Sequence, residues 1–232
     1  MITLFKSLFG NSPSNGGRTV APPRIHVPTR HGKFFGTDKI GLVGFHDYAF
    51  PIAMPAEPFA AWLHERVNKL PSKVGGSHTN IADALRKSLD ILAKAPPGAL
   101  KRIWLLSDGH PNMETEAILP LVNKARDAWV NVNTIGFGDP NGYDENLLRA
   151  ISSQTHAGKF VPVQSLRELS AALVTNSPAG NRVQRRRHRA EYTILAVDCS
   201  GSMNSPMEGR TRIEVVREAV FHLLNWKQKN FA

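Results

Sequence analysis

Apolar residues recur along this chain in two alternating rhythms. KIGLVGFH (39–46), RIWLLSD (102–108), VNVNTIGFG (130–138) and YTILAVD (192–198) are nearly continuous apolar runs, as expected of strands buried on both faces. Between them the spacing changes to three and four. Trp62, Leu63, Val67 and Leu70 mark a helix over 59–70, and Ile81, Leu85, Leu89 and Leu92 mark another that opens at Asn80 after the Gly-rich turn GGSHT. Further helices are predicted over 116–129, 145–156 and 166–175. A last one covers 212–227, with Ile213, Val216, Val220, Leu223 and Leu224 on one face. Residues 49–54, with Pro51 inside and Pro55 just beyond, fit a short antiparallel edge strand after a hairpin, and 159–163 fit a short strand. Strands alternating with helices at this spacing predict an α/β fold. The architecture expected is a Rossmann-like three-layer αβα sandwich whose six-stranded, mainly parallel sheet carries one antiparallel edge strand.

Composition fits one core with appendages: of 232 residues, 41% are hydrophobic and 21% charged. The formal net charge of +10 is unevenly placed. Residues 1–37 hold Lys6, Arg18, Arg24, Arg30 and Lys33 and no acidic residue, and the run RVQRRRHR adds Arg182, Arg185, Arg186, Arg187 and Arg189. What remains is balanced, with 19 basic against 19 acidic residues. Any polyanion affinity therefore belongs to an arm and a linker, where counterion release gives a weak, sequence-independent contact. The organisation expected is a flexible basic arm over 1–37, whose only patterned positions are Ile2, Phe5, Leu8 and Phe9, then a globular body over 38–176. An Arg-rich linker over 177–190 follows, and 191–232 completes the same body. Cys199 is the single cysteine, which excludes an intramolecular disulfide and a thiolate-rich zinc site and suits a cytoplasmic address. No apolar stretch is long enough to span a bilayer, and the first residues lack the run a signal peptide needs.

In an open parallel sheet, ligands bind beyond the carboxyl ends of the strands. Three loops at such ends carry matching chemistry: Asp198, Ser200 and Ser202 in DCSGS, Asp108 in LLSDG, and Thr79 just ahead of a helix in GGSHTN. Side by side they would present five hard oxygen donors, a set suited to Mg²⁺ or Mn²⁺. Each has a plainer reading when taken singly. Ser200, Gly201 and Ser202 suit a helix N-terminal turn, and Asp108 before Gly109 is a common turn pair. His46, Asp47 and His110 either rim the site or are loop polar residues without a metal role. Cys199, between two candidate ligands, fits a small buried apolar role better than a reactive thiol. Trp62, Trp104, Trp129 and Trp226 are expected to pack in the core or on its flanks.

These five positions resemble the metal-ion-dependent adhesion site of the von Willebrand factor A domain family. That pattern has an Asp-x-Ser-x-Ser after the first strand, a Thr from a Gly-rich loop and an Asp after the fourth strand. The resemblance runs from Lys39 to Ala232, the linker excepted. It implies that Ser200 and Ser202 bind the cation directly, Thr79 directly or through water, and Asp198 and Asp108 mainly through water and hydrogen bonds. It implies metal-dependent protein binding, in which a Glu or Asp carboxylate of the partner reaches the ion. The order of elements differs from the family's, which begins with the DxSxS strand, so the chain looks circularly permuted, with the linker bridging the family's two ends. A domain-swapped oligomer, in which 190–232 crosses to another chain, is the competing geometry. Two other classes stay open: a Mg²⁺-dependent phosphohydrolase-like enzyme and nucleic-acid binding through the Arg-rich linker. The first would need a nucleophilic Asp and usually a Lys, yet no Lys occupies the loops just after Asp198 or Asp108, and neither a P-loop nor a GxSxG elbow is present. A non-enzymatic recognition module is the reading preferred.

Overall fold

Lys39–Phe45 forms β1 and Ala49–Ala56 forms β2, antiparallel to it, with Phe45 opposite Ala49 and Gly44 opposite Phe50. Gly44 is what lets the hairpin close, because a Cβ there would stand 2.6 Å from the Phe50 ring. The computed structural model describes residues 37–175 and 189–231. The expected arm and its apolar positions, and most of the Arg-rich linker, lie outside the described residues. After β2 the predicted helix over 59–70 is divided into α1 (Ala61–Asn68) and a separate 3₁₀ turn over Leu70–Lys73. Pro71 has no N–H to give an α-helical ladder, so the chain tightens there. Helix α2 (Ile81–Leu92) opens as expected at Asn80, whose side chain accepts from the Asp83 N–H at 2.9 Å.

The alternation then continues through β3 (Leu100–Ser107), α3 (Thr115–Asp127), β4 (Val130–Phe137), α4 (Glu145–Ser153), β5 (Phe160–Val163) and α5 (Leu166–Thr175). Last come β6 (Glu191–Asp198), a two-residue hairpin of β7 (Pro206–Met207) and β8 (Arg210–Thr211), and α6 (Arg212–Phe231). The six main strands lie in the order β2-β1-β6-β3-β4-β5, all parallel except β2. Of these six, the strand last in sequence, β6, is therefore central. Asp198 sits beside Phe45 of β1, and Val197 beside Leu106 of β3, so the three strands finish together at one edge.

Alternate side chains of these strands feed two apolar layers. Leu42, Trp104, Leu106, Phe137, Leu195 and Val197 pack against α1, α5 and α6, while Val43, Phe45, Ile103, Leu105, Ile194 and Ala196 pack against α2, α3 and α4. This is the expected three-layer sandwich. At the opposite pole from the strand ends, the Lys227 ammonium is 1% exposed and donates to Asp38 and, at 2.9 Å, to Glu191. Glu191 also pairs with Arg102 Nε at 2.6 Å. A buried charge is tolerable only with such partners. These contacts tie the end of α6 to the starts of β1 and β6.

The tryptophans divide between core and surface. Trp104 is buried, but Trp129 is 71% exposed with φ 56 and stacks on His156 at 4.1 Å. The predicted helix 116–129 stops at Asp127, so Trp129 falls in the tight turn into β4 and points outward. Trp62, on α1, is about half exposed.

Candidate metal site

Backbone pairing past the end of β6 positions the first loop. Cys199 N–H donates to Phe45 O at 2.7 Å, and Cys199 O accepts from Gly75 N–H at 2.8 Å. Ser200 follows in an extended conformation, and Gly201–Asn204 makes one 3₁₀ turn, closed by Met203 N–H on Ser200 O at 3.1 Å and pinned by the buried Met203 side chain. The turn folds both serine hydroxyls to the same side: Ser200 Oγ and Ser202 Oγ are 2.9 Å apart.

Strand β3 supplies the second loop. Asp108 Oδ1 accepts from Ser202 Oγ at 2.7 Å, which joins the two loops. Asp198 is wholly buried, with Oδ1 accepting from Ser200 N–H at 2.9 Å and Oδ2 from Ser107 Oγ at 2.8 Å. Thr79 belongs to the third loop, held from both sides. Asn112 Oδ1 accepts its N–H at 2.9 Å, and Asp47 Oδ1 accepts the Ser77 and His78 N–H groups at 3.2 and 3.0 Å. Thr79 joins the others by packing, since its hydroxyl lies 3.3 Å from where a side chain at Gly109 would begin. The structure thus brings Asp198, Ser200, Ser202 and Asp108 into one hydrogen-bonded chain and sets Thr79 beside it.

The electrostatics are unbalanced. Burial, and after it the nearby Asp108 carboxylate, pushes Asp198 up to about 7, although its hydrogen bonds from Ser200 and Ser107 act the other way. Cys199 is pushed up to about 12, chiefly by burial, so its thiol is neutral and inert at ordinary pH. Asp47 is held below its usual range, first by the His78 ring at 2.7 Å, and serves the loop rather than the site. Among the described residues no group of three or more His, Cys, Asp or Glu side chains is placed to hold a metal. The donor set is instead two carboxylates and three hydroxyls, all oxygen, buried apart from the exposed Ser202. Those donors fit a hard divalent cation.

Three contributors carry no signal in the residue spacing. Ser107 holds Asp198 from inside β3, and Asn112 holds Thr79 from the loop after Asp108. Arg212, at the start of α6, donates from Nη1 to Asp108 Oδ2 at 2.7 Å. The hairpin that delivers it was detectable in principle: Glu208 and Gly209 both have positive φ, 50 and 76, the two-residue turn that a Gly in second place permits.

The model of the von Willebrand factor type A domain matches residues 33–175. The chain belongs to the von Willebrand factor type A family. Domains of this family generally serve as interaction modules rather than enzymes. The matched stretch of the vWA domain includes Thr79 and Asp108 and ends before β6. Among solved structures the chain is similar to a conserved hypothetical protein, BatB, from Bacteroides thetaiotaomicron, at 17% identity and a TM-score of 0.45, over 55% of this chain and 72% of that one. It is also similar to an uncharacterized membrane spanning protein from Vibrio fischeri, at 24% identity and a TM-score of 0.30, over 60% and 74%. At these scores neither neighbour informs function. No curated protein matches the chain. Among the described residues no helix of this vWA domain is long and apolar enough to cross a membrane.

Proposed function

We propose that this vWA domain recognises a partner protein through a divalent cation, Mg²⁺ or Mn²⁺, held by Asp198, Ser200, Ser202, Thr79 and Asp108 as a metal-ion-dependent adhesion site. The observation that carries the reading is the continuous run Asp108–Ser202–Ser200 at 2.7 and 2.9 Å beside a fully buried Asp198. Neutral hydroxyls nearest the ion would leave it electrophilic, so that a Glu or Asp carboxylate of the partner is its natural further ligand. Ser107, Asn112 and Asp47 fix the donors before any ion arrives.

The same reading takes the fold as a circular permutant. Its support is that β6, the last of the six main strands in sequence, lies between β1 and β3, that the family match stops at residue 175, and that Lys227 near the end of α6 meets Asp38 just before β1. Rejoining 190–232 ahead of 38–176 should then give a domain with the same Mg²⁺ response. The decisive test is thermal: Mg²⁺ should raise the melting temperature of the full chain, and Asp198→Ala and Ser202→Ala should each abolish the rise. A binding isotherm for the wild type with no Mg²⁺ or Mn²⁺ uptake at millimolar concentration would sink the reading.

A further inference from the structure

Arg212 is seated rather than loose. Its side chain is 17% exposed, its Nη1 holds Asp108 at 2.7 Å, and its guanidinium lies over Gly138, where φ is 105 and a Cβ would come within 2.9 Å of Cζ and Nη2. Its own N–H donates to Ser205 O at 3.0 Å, which ties it to the turn carrying Ser200 and Ser202. The neighbouring cation Arg210 is engaged elsewhere, on Glu218. One permanent positive charge is thus built into a site that has two carboxylates.

With Asp198 and Asp108 ionised, that charge reduces the fixed total from two negative to one. A divalent cation then leaves the site net positive. We infer that Arg212 sets the ligand selectivity of the site: by cancelling one carboxylate charge it weakens the hold on the cation alone, and it makes retention of the cation depend on a monoanionic carboxylate from the partner. This rests on the metal reading proposed above. Arg212 repels the cation and attracts the incoming carboxylate, so it lowers the affinity for the cation alone and raises that for the carboxylate, while the direct attraction between the two ligands makes each raise the other's affinity by the same factor. One unit charge held a few ångströms away in a partly buried site is worth roughly tenfold or more in affinity.

Mn²⁺ binding to the full chain, followed by electron paramagnetic resonance with and without acetate, tests this in wild type, Arg212→Gln and Arg212→Lys. Saturating acetate should tighten Mn²⁺ binding to wild type roughly tenfold. Arg212→Gln should bind Mn²⁺ alone about tenfold more tightly and need about tenfold more acetate to reach the full acetate effect, whereas Arg212→Lys, which keeps the charge, should follow wild type. Wild type that binds Mn²⁺ with no response to acetate overturns the inference, and that measurement stands even if Arg212→Gln does not fold. Arg212→Gln matching wild type, or Arg212→Lys matching Arg212→Gln, overturns it too. No Mn²⁺ binding by wild type with or without acetate overturns the metal reading along with it.

Discussion

A carboxylate sealed at the end of the central strand has to be stabilised by something. In the metal-free protein Asp198 stands at about 7 against an ordinary value of 3.8, because burial and Asp108 both oppose its charge. The folded state therefore holds this proton more tightly than the unfolded chain does. Its contribution to stability is greatest at low pH and is lost as pH rises from about 4 to about 7. A divalent cation needs the ionised form and would restore that loss. At about 100 times its dissociation constant a ligand adds about 2.7 kcal/mol, which for a domain this size is a rise of roughly 5–10 °C. The Mg²⁺-induced rise should thus be several degrees larger at pH 8 than at pH 5.5, and Asp198→Asn should flatten the pH dependence of the metal-free melt. Equal Mg²⁺ shifts at the two pH values would contradict the assignment. The five candidate ligands could be read from the sequence because each is an oxygen-bearing residue where a strand run stops or a helix begins. Ser107 and Arg212 could not, since one sits within an apolar strand and the other is one of many arginines, chosen by its place after a hairpin.

At the scale of elements, the Gly-rich loop before α2 shows how a backbone requirement positions a ligand. Gly76 has φ 72, and a Cβ there would stand 2.7 Å from the His46 ring and 2.8 Å from Asp47 Oδ2. Both groups brace the loop: His46 O accepts Asn80 N–H at 2.9 Å, and Asp47 holds Ser77 and His78. Gly76→Ala would therefore combine backbone strain with a collision against the brace. A stability loss of about 1–3 kcal/mol is expected, with a weaker Mg²⁺ response as Thr79 shifts. Calorimetry with and without Mg²⁺ checks both, and a variant with unchanged melting and metal response would show that the loop does not need this conformation. The main strands and helices were readable because continuous apolar runs and three-and-four spacing survive in one sequence. What stayed hidden has no period: the 3₁₀ turn at Pro71, the hairpin of β7 and β8 with two residues a side, and the turn that throws Trp129 outward.

For the whole molecule, the placing of β6 makes stability depend on the last part of the chain. Ile194, Leu195, Ala196 and Val197 are all wholly buried, the first and third in one apolar layer, and Leu195 and Val197 in the other with Val216, Val220, Leu223 and Leu224 of α6. Without residues 191–232 the β1–β2 hairpin has no strand joining it to β3, and an isolated hairpin is marginal in water. Asp38 would also lose Lys227, its buried counter-charge. A fragment of residues 1–190 is therefore expected to show no cooperative thermal transition, whereas the full chain melts in one. Adding the separate 190–232 segment in trans should restore the transition and the Mg²⁺ response together, because the missing strand carries Asp198, Ser200 and Ser202. The same closure between two copies would build a swapped dimer, which sedimentation distinguishes: a mass independent of concentration places β6 in its own chain, and a mass that doubles places it in a neighbour. Cooperative melting of the 1–190 fragment by itself would show that the remaining strands close without their central member.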